Sequence, residues 1–146
     1  MKVLLACSPG GHLQQMFALR SAWEDFDRVW LTLDGPDVEH LLDGERVIKA
    51  HGPTNRSIVN AIRNFFVAWR AIGEADVVLS TGAGIAVPAL LVARLRGRRT
   101  VYVESLTRTD SLSLSGRIVY PLAHDFFVQW PDTSKRRRAR YVGNIL

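Results

Sequence analysis

Short apolar runs alternate with longer segments of mixed polarity along almost the whole chain. Six of these runs have the length of a buried strand, and they lie at residues 2–7, 28–33, 46–50, 76–80, 100–104 and 125–130. A nearly unbroken apolar run of this length is typical of a parallel strand that is covered on both faces. Residues 141–145 predict one further short strand.

The segments between these runs have helical periodicity, most clearly at residues 57–72. The apolar positions there recur at intervals of three and four, at Ile58, Ile62, Phe65, Trp69 and Ile72. This spacing predicts a helix with one apolar stripe. Residues 85–95 predict an apolar helix that stops at Gly97, because glycine is the usual residue just after a helix.

The apolar stripe of the helix at 57–72 has two interpretations. In the first, the stripe packs on the sheet and the arginines on the opposite side are in water. In the second, the helix lies at a membrane surface, since a helix with apolar and basic positions side by side binds lipid interfaces. The residues that would then contact lipid are Arg63, Phe66, Trp69 and Arg70.

Strands that alternate with helices predict an α/β fold with a parallel sheet. We expect a single Rossmann-like domain over residues 1–146, with a mostly parallel sheet of about six strands and helices on both faces. Right-handed crossovers favour a strand order in which the first and fourth strands are neighbours. Ligands of such sheets bind at the carboxyl ends of these strands.

Two glycine turns lie at the expected ends of the first and fourth strands. The first contains Ser8, Gly10, Gly11 and His12, and the second contains Thr81, Gly82 and Gly84. Glycine lets the backbone approach a ligand closely, and amide groups at a helix start attract anions, so both turns predict a phosphate or diphosphate site. The G-x-G-x-x-G fingerprint of dinucleotide sites is absent. The turns could also be simple strand-to-helix connections.

Two titratable side chains, His12 and Glu104, fall at the same predicted edge of the sheet. Either could orient or deprotonate a substrate hydroxyl, because both residue types serve as general bases. The alternatives are that His12 braces its own helix and that Glu104 pairs with Arg108. If Arg108 does not pair with Glu104, we expect it to bind the diphosphate together with the two glycine turns.

Composition and charge narrow the class of protein. Apolar residues make up 47% of the 146 residues, which is typical of a globular domain, and the single cysteine excludes a disulfide within the chain. No apolar stretch reaches membrane-spanning length, so we expect a cytoplasmic protein. No histidine, cysteine and carboxylate cluster has metal-ligand spacing, and no cofactor is expected.

The net charge of +5 favours an anionic partner. Residues 135–140 alone carry five positive charges and predict a basic helix that is either solvated or in contact with an anion.

Several short motifs taken together resemble one protein family. They are the residues at 8–12, 80–84 with Pro88, 102–105, 115–117, 120–123, 128–131 and 141–143. This set resembles the bacterial PssD/CpsF-type polysaccharide biosynthesis proteins. Those proteins are similar to the membrane-recruiting subunit of the two-part UDP-GlcNAc transferase of dolichol-linked oligosaccharide synthesis. More distantly, the loops are similar to those of the acceptor-side half of MurG.

The resemblance implies the N-terminal, acceptor-side half of a GT-B glycosyltransferase. A separate PssE/CpsG-type chain would supply the UDP-sugar-binding half, and the acceptor would be a sugar on undecaprenyl diphosphate, for capsule or exopolysaccharide synthesis. His12 and Glu104 fall at the matching motif positions, as do the glycines of both turns. The eukaryotic counterpart carries an N-terminal membrane anchor, whereas this sequence starts at its first strand. We therefore expect peripheral attachment to the anionic inner face of the plasma membrane.

Two other functions are compatible with the residues. A stand-alone enzyme or module would bind a nucleotide sugar in the same cleft without a partner. A basic nucleic-acid-binding domain would use residues 135–140, but no recognition helix or aromatic platform accompanies them, and we expect no nucleic-acid partner.

Overall fold

The computed structural model describes residues 1–145 and contains one seven-stranded sheet. Its strands are β1 (Lys2–Ala6), β2 (Asp27–Thr32), β3 (Val47–Lys49), β4 (Val77–Ser80), β5 (Arg99–Val103), β6 (Asp125–Val128) and β7 (Ala139–Tyr141). Its α-helices are α1 (Gly11–Ala18), α2 (Pro36–Leu41), α3 (Ile58–Ile72), α4 (Ala86–Leu95) and α5 (Leu114–Val119). Short 3-10 helices span Arg20–Ala22 and Pro131–Lys135.

The strand order is β3-β2-β1-β4-β5-β6-β7, and every neighbouring pair is parallel. The predicted Rossmann-like order, with the first and fourth strands adjacent, is therefore confirmed. The chain leaves β3 at one edge and returns through α3 to β4 in the middle of the sheet. This reversal lies between β1 and β4, so the loops that follow these two strands are neighbours at the carboxyl edge of the sheet.

Each face of the sheet carries its own apolar core. Leu4 and Ala6 of β1 point to the side covered by α3, α4 and α5, and Leu5 and Cys7 point to the side covered by α1 and α2. All four side chains are fully buried, as the unbroken apolar run predicts. Burial, followed by the negative charge of Asp37, raises the pKa of the Cys7 thiol to about 12, so this cysteine is a small apolar core residue.

The orientation of α3 differs from the first interpretation, in which the apolar stripe packs on the sheet. The predicted stripe faces away from the sheet over most of its length, with Ile58 78% exposed and Ile62 57% exposed. The buried side instead carries Asn60, Asn64, Ala68, Ala71 and Ile72.

The reason lies in the loop before the helix. Asn64 accepts a hydrogen bond from the His51 amide at 2.7 Å and donates one to the His51 carbonyl at 2.9 Å, and Asn60 donates to the Pro53 carbonyl at 2.8 Å. These bonds satisfy backbone groups of His51 and Pro53 on the side of the loop that faces the helix, so two polar side chains take the inward positions.

The predicted basic helix at residues 135–140 is wrong. The chain there forms the 3-10 helix Pro131–Lys135 and then β7, which adds the seventh strand. Two of the arginines lie over the ring of Tyr120, with the Arg136 and Arg138 guanidinium carbons 5.5 and 5.9 Å from its centre. Arg140 lies in β7 and pairs with Asp125 of β6 at 3.4 Å. Cation–π contacts and strand pairing hold this basic run against the domain.

Among the helices that residues 1–145 form, none combines the length and the apolar character needed to cross a bilayer.

Candidate functional site

The two glycine turns meet at the carboxyl edge of the sheet, and a reciprocal pair of hydrogen bonds joins them. The Nδ1 atom of His12 lies 2.8 Å from the Thr81 carbonyl oxygen, and the Thr81 hydroxyl donates to the His12 carbonyl at 2.8 Å. Thr81 is fully buried, whereas His12 is half-buried. The predicted meeting of the two turns is therefore confirmed, and Thr81 acts by holding His12 in place.

This contact fixes the chemistry of the imidazole. A carbonyl oxygen only accepts hydrogen bonds, so Nδ1 of His12 carries the hydrogen. In the neutral ring the other nitrogen, Nε2, then has its lone pair available as a proton acceptor. A backbone carbonyl thus sets the orientation of the ring and leaves Nε2 as the nitrogen that can accept a proton.

The second glycine turn is shaped by close contacts on two sides. Gly82 has a φ of +113°, and a Cβ there would lie 3.1 Å from both His12 Cε1 and the Tyr102 hydroxyl. A Cβ on Gly84 would lie 2.5 Å from the Thr54 carbonyl oxygen. The turn leads directly into α4, whose first two amides, of Ala86 and Val87, donate to the carbonyls of Ala83 and Gly84 within the turn, and whose third residue, Pro88, has no amide hydrogen. An anion at this position would therefore be bound by amides of the turn itself.

The first glycine turn is occupied by a carboxylate that the sequence did not single out. Gly10, with a φ of +79°, donates its amide hydrogen to Asp37 Oδ2 at 2.6 Å. Ser8 is half-buried and Gly11 is exposed beside it. The negative charge of Asp37 makes this turn less favourable for a diphosphate than the second turn and suits hydroxyl or amide groups that donate hydrogen bonds.

Glu104 lies at the end of β5 as predicted, but it is 1% exposed and its carboxylate is surrounded by donors. Its oxygens accept hydrogen bonds from the amides of Ser105 and Ser113, each at 2.9 Å, and from the Ser113 hydroxyl at 3.0 and 3.1 Å. The Tyr102 hydroxyl donates a longer bond at 3.3 Å. Burial, followed by the charge of Glu104, raises the pKa of Tyr102, which therefore stays a neutral donor.

These hydrogen bonds give Glu104 a structural role. They fix the loop between β5 and α5 and hold the start of α5, because Ser113 is the residue that caps this helix. Arg108 is exposed on the same loop, and no ion pair joins it to Glu104 within residues 1–145.

A pair of glutamines, also missed by the sequence analysis, ties α1 to this loop. The side-chain oxygen of Gln15 accepts from the Leu106 amide at 2.9 Å and from Gln129 Nε2 at 3.0 Å. Gln129 also donates to the Glu104 carbonyl at 2.9 Å and is 2% exposed. The only sequence signal for this network is Gln129, a polar residue inside the predicted apolar run at 125–130. The network holds the loops that follow β1, β5 and β6 in one arrangement.

An apolar groove lies between α3 and α4 next to the second turn. It has a volume of about 380 Å³ and is lined by Ile58, Ala61, Ile62, Phe65, Phe66, Val87, Pro88 and Leu91. The outer face of α3 beside the groove is also apolar, with Trp69 44% exposed. The neighbouring Arg63 and Arg70 are exposed, and Arg96 lies over the Trp69 ring at 5.3 Å.

Within residues 1–145, no group of three or more histidine, cysteine, aspartate or glutamate side chains is arranged to hold a metal ion.

Comparison with known proteins identifies relatives of the chain. The family described as "Oligosaccharide biosynthesis protein Alg14 like" matches residues 41–145. The UDP-N-acetylglucosamine transferase subunit ALG14 of Eremothecium gossypii is 43% identical over 124 residues, which cover 77% of this chain and 55% of that protein. The human subunit of the same name is 40% identical over 116 residues, which cover 73% of this chain and 53% of the human protein. The chain thus spans about half the length of these curated relatives.

Solved structures show the same fold at low sequence identity. MurG of Acinetobacter baumannii superposes with a TM-score of 0.77 at 17% identity, over 95% of this chain and 45% of MurG. The UDP-GlcNAc 2-epimerase of Methanocaldococcus jannaschii superposes with a TM-score of 0.74 at 13% identity, over 99% of this chain and 46% of the epimerase. The domain therefore matches the N-terminal Rossmann-like half of a GT-B fold, as expected from the sequence.

Proposed function

Since the chain belongs to the family of Alg14-like oligosaccharide biosynthesis proteins, we propose that it is the acceptor-side subunit of a two-part glycosyltransferase. The observation that carries this proposal is His12, held by Thr81 where the two glycine turns meet, in a domain that corresponds to one half of a GT-B enzyme. A separate PssE/CpsG-type chain supplies the other half and binds the UDP-sugar. The names of the relatives make UDP-N-acetylglucosamine the first donor to test.

In the proposed reaction His12 is the general base. Nε2 of His12 takes the proton of an acceptor sugar hydroxyl, and the hydroxyl oxygen forms a bond to the anomeric carbon of the donor sugar. The bond between that carbon and the UDP oxygen breaks, and UDP leaves with the electron pair. Glu104 is a positioning residue in this scheme, because its carboxylate is buried and already accepts hydrogen bonds from Ser105 and Ser113.

The acceptor is a sugar linked to a polyprenyl diphosphate. Its diphosphate binds at the second turn, where Thr81, Gly82 and Gly84 bring backbone amides of the turn itself to the cleft and Arg108 adds positive charge. Its sugar lies toward Ser8, Gly10 and Gly11, where Asp37 offers a hydrogen-bond acceptor. Charge and hydrogen bonding in the two turns thus support an orientation in which the sugar of the acceptor lies at the first turn and its diphosphate at the second.

The membrane-facing surface is the outer face of α3. Exposed Phe66 and Trp69 reach the acyl boundary, and exposed Arg63 and Arg70 lie beside them to meet anionic headgroups. This arrangement supports peripheral attachment at the cytoplasmic face of the membrane. The stacking of Arg136 and Arg138 on Tyr120 does not favour a nucleic-acid surface, because these arginines are engaged with the domain itself.

The test measures transfer of labelled N-acetylglucosamine from UDP-N-acetylglucosamine to an undecaprenyl-diphosphate-linked sugar. The reaction is run with this chain alone, with its partner alone and with both. We expect product only from the mixture, and we expect His12→Ala to lower kcat about 100-fold or more. His40→Ala, at an exposed position of α2, is the matched control and should leave kcat unchanged.

Full activity of the partner alone, or of this chain alone, would overturn the two-part enzyme. Unchanged kcat for His12→Ala in a complex that still forms would remove His12 as the base.

A further inference from the structure

The groove between α3 and α4 has the chemistry of a lipid site, since all the side chains that line it are apolar. Its volume of about 380 Å³ lies within the range of small-molecule sites, about 300–1,000 Å³. Along α3 it extends from Ile58 to Phe66, which corresponds to about 12 Å of helix. A groove of this size fits a slender hydrocarbon chain better than a protein helix, which is about 10–12 Å across.

Polar bonds on the other side of α3 fix the walls of the groove. Asn60 and Asn64 bind the backbone of the preceding loop, which sets the rotation of α3 about its axis. With these two side chains directed inward, Ala61, Ile62 and Phe65 line the groove. The groove is therefore part of the fold and needs no rearrangement of α3 to form.

Both walls of the groove converge on the second glycine turn. On the α4 side, Val87 lies three residues after Gly84. On the α3 side, Thr54 is three residues before the capping residue Ser57 and is in close contact with Gly84. A diphosphate at the amides of this turn therefore lies at one end of the groove.

We propose that the groove binds the first isoprene units of the polyprenyl-diphosphate acceptor. This inference rests on the proposed function, since it assigns the lipid end of the same acceptor. A prenyl chain esterified to a diphosphate at the second turn has to leave that turn along an apolar path. The groove provides that path, and the exposed arginines of α3 lie on its membrane side, where anionic headgroups surround the rest of the chain.

The first experiment uses a farnesyl diphosphate whose tail carries a benzophenone, with the full chain in nonionic detergent micelles. We expect photo-cross-links to map to residues 58–66 and 87–91, and excess unlabelled farnesyl diphosphate to suppress them. Cross-links confined to other segments would overturn the assignment. Equal suppression by phosphatidylglycerol would also overturn it, because the groove would then be a general lipid-contact surface.

A matched pair of variants tests the groove directly. Ala61 lines the groove and is exposed, so Ala61→Phe fills it without burying new volume in the core. Val59 is exposed on the same helix outside the groove, so Val59→Phe adds a larger apolar side chain elsewhere. We expect Ala61→Phe to raise the Kd for farnesyl diphosphate about tenfold, with the Kd for inorganic diphosphate unchanged in both variants.

The same pair separates failure of this inference from failure of the proposed function. In the reconstituted enzyme, Ala61→Phe should raise KM for an undecaprenyl acceptor and leave KM unchanged for an acceptor with a short water-soluble tail. Equal KM values for the wild type and Ala61→Phe on both acceptors would overturn the groove assignment while the transferase stands. Binding of the photoprobe in the groove without any sugar transfer would instead overturn the proposed function.

Discussion

At the scale of single residues, His12 and Glu104 have different surroundings although both occupy expected positions. Sequence reasoning placed both at the carboxyl edge of the sheet because each follows a buried strand. It could not separate their roles, since the difference depends on Ser105 and Ser113, which reach Glu104 only in the folded chain. Asp37 escaped notice for a similar reason, because it is 27 residues away from Gly10 along the chain.

Replacing each of these two residues by alanine should therefore have different consequences for folding. Glu104→Ala leaves the buried amide of Ser105 and the hydroxyl of Ser113 without their acceptor, so the free energy of unfolding should fall by about 1–3 kcal/mol. His12→Ala removes one bond from a half-buried ring and should cost about 1 kcal/mol or less. Urea unfolding followed by tryptophan fluorescence measures both. A larger loss for His12→Ala than for Glu104→Ala would contradict these roles.

Gly116 is a second position at which contact with Glu104 determines how much a substitution lowers stability. A Cβ at Gly116 would lie only 2.1 Å from Glu104 Oε2, so Gly116→Ala must displace the carboxylate and should destabilise the fold by about 1–3 kcal/mol. The control is Gly11→Ala, where a Cβ meets no atom within 4 Å and stability should stay within about 0.5 kcal/mol of the wild type. Equal stability of the two variants would show that Glu104 is not held against α5.

At the scale of elements, α3 shows what apolar periodicity can and cannot predict. The spacing of three and four located the helix, and Ser57 caps it at the predicted start. The same spacing could not tell which face is buried, because an apolar stripe is equally suited to a protein core and to a lipid surface. The decisive bonds join Asn60 and Asn64 to the loop at His51–Pro53 and carry no periodic signal.

The outward face of α3 leads to a prediction about membrane binding. Phe66→Ser combined with Trp69→Ser removes two exposed aromatic rings and should reduce sedimentation with phosphatidylglycerol vesicles at least fivefold. Urea unfolding should change little, because neither ring is buried in the core. The control is Leu95→Ser, a substitution at an exposed apolar position at the C-terminal end of α4. Loss of binding by the control alone would place the membrane contact elsewhere.

The basic segment near the C-terminus was misassigned because charge dominates its composition. Five positive charges in six residues suggested a basic helix that is either solvated or in contact with an anion. In the structure Arg138 donates its amide hydrogen to the Tyr120 hydroxyl at 2.8 Å, and the chain turns there into β7. Pairing with β6 outweighs the helix preference of the lysine, arginine and alanine residues in this short run. Tyr120 lies 18 residues earlier in the chain, so no local pattern could have revealed the contact.

At the scale of the whole molecule, the fold was largely predictable. The order of apolar runs and helices, with the right-handed crossover rule, gives the positions of β1 and β4 that bring the two glycine turns together. These rules depend on the order of elements along the whole chain. The wrongly predicted helix near the C-terminus therefore did not change the predicted positions of β1, β4 and the two glycine turns. The roles of the side chains around the site, by contrast, depend on single contacts.

The apolar outer face of α3 also affects how the protein behaves in solution at high concentration. When neither bilayer nor detergent covers it, two such faces can cover each other, because burying apolar area is favourable whatever the partner. We expect a negative second virial coefficient by light scattering in plain buffer and a positive one once nonionic micelles are added. If the value is positive in plain buffer, the face is too small to drive such attraction. The surface proposed to attach the protein to a membrane would thus also limit its colloidal stability.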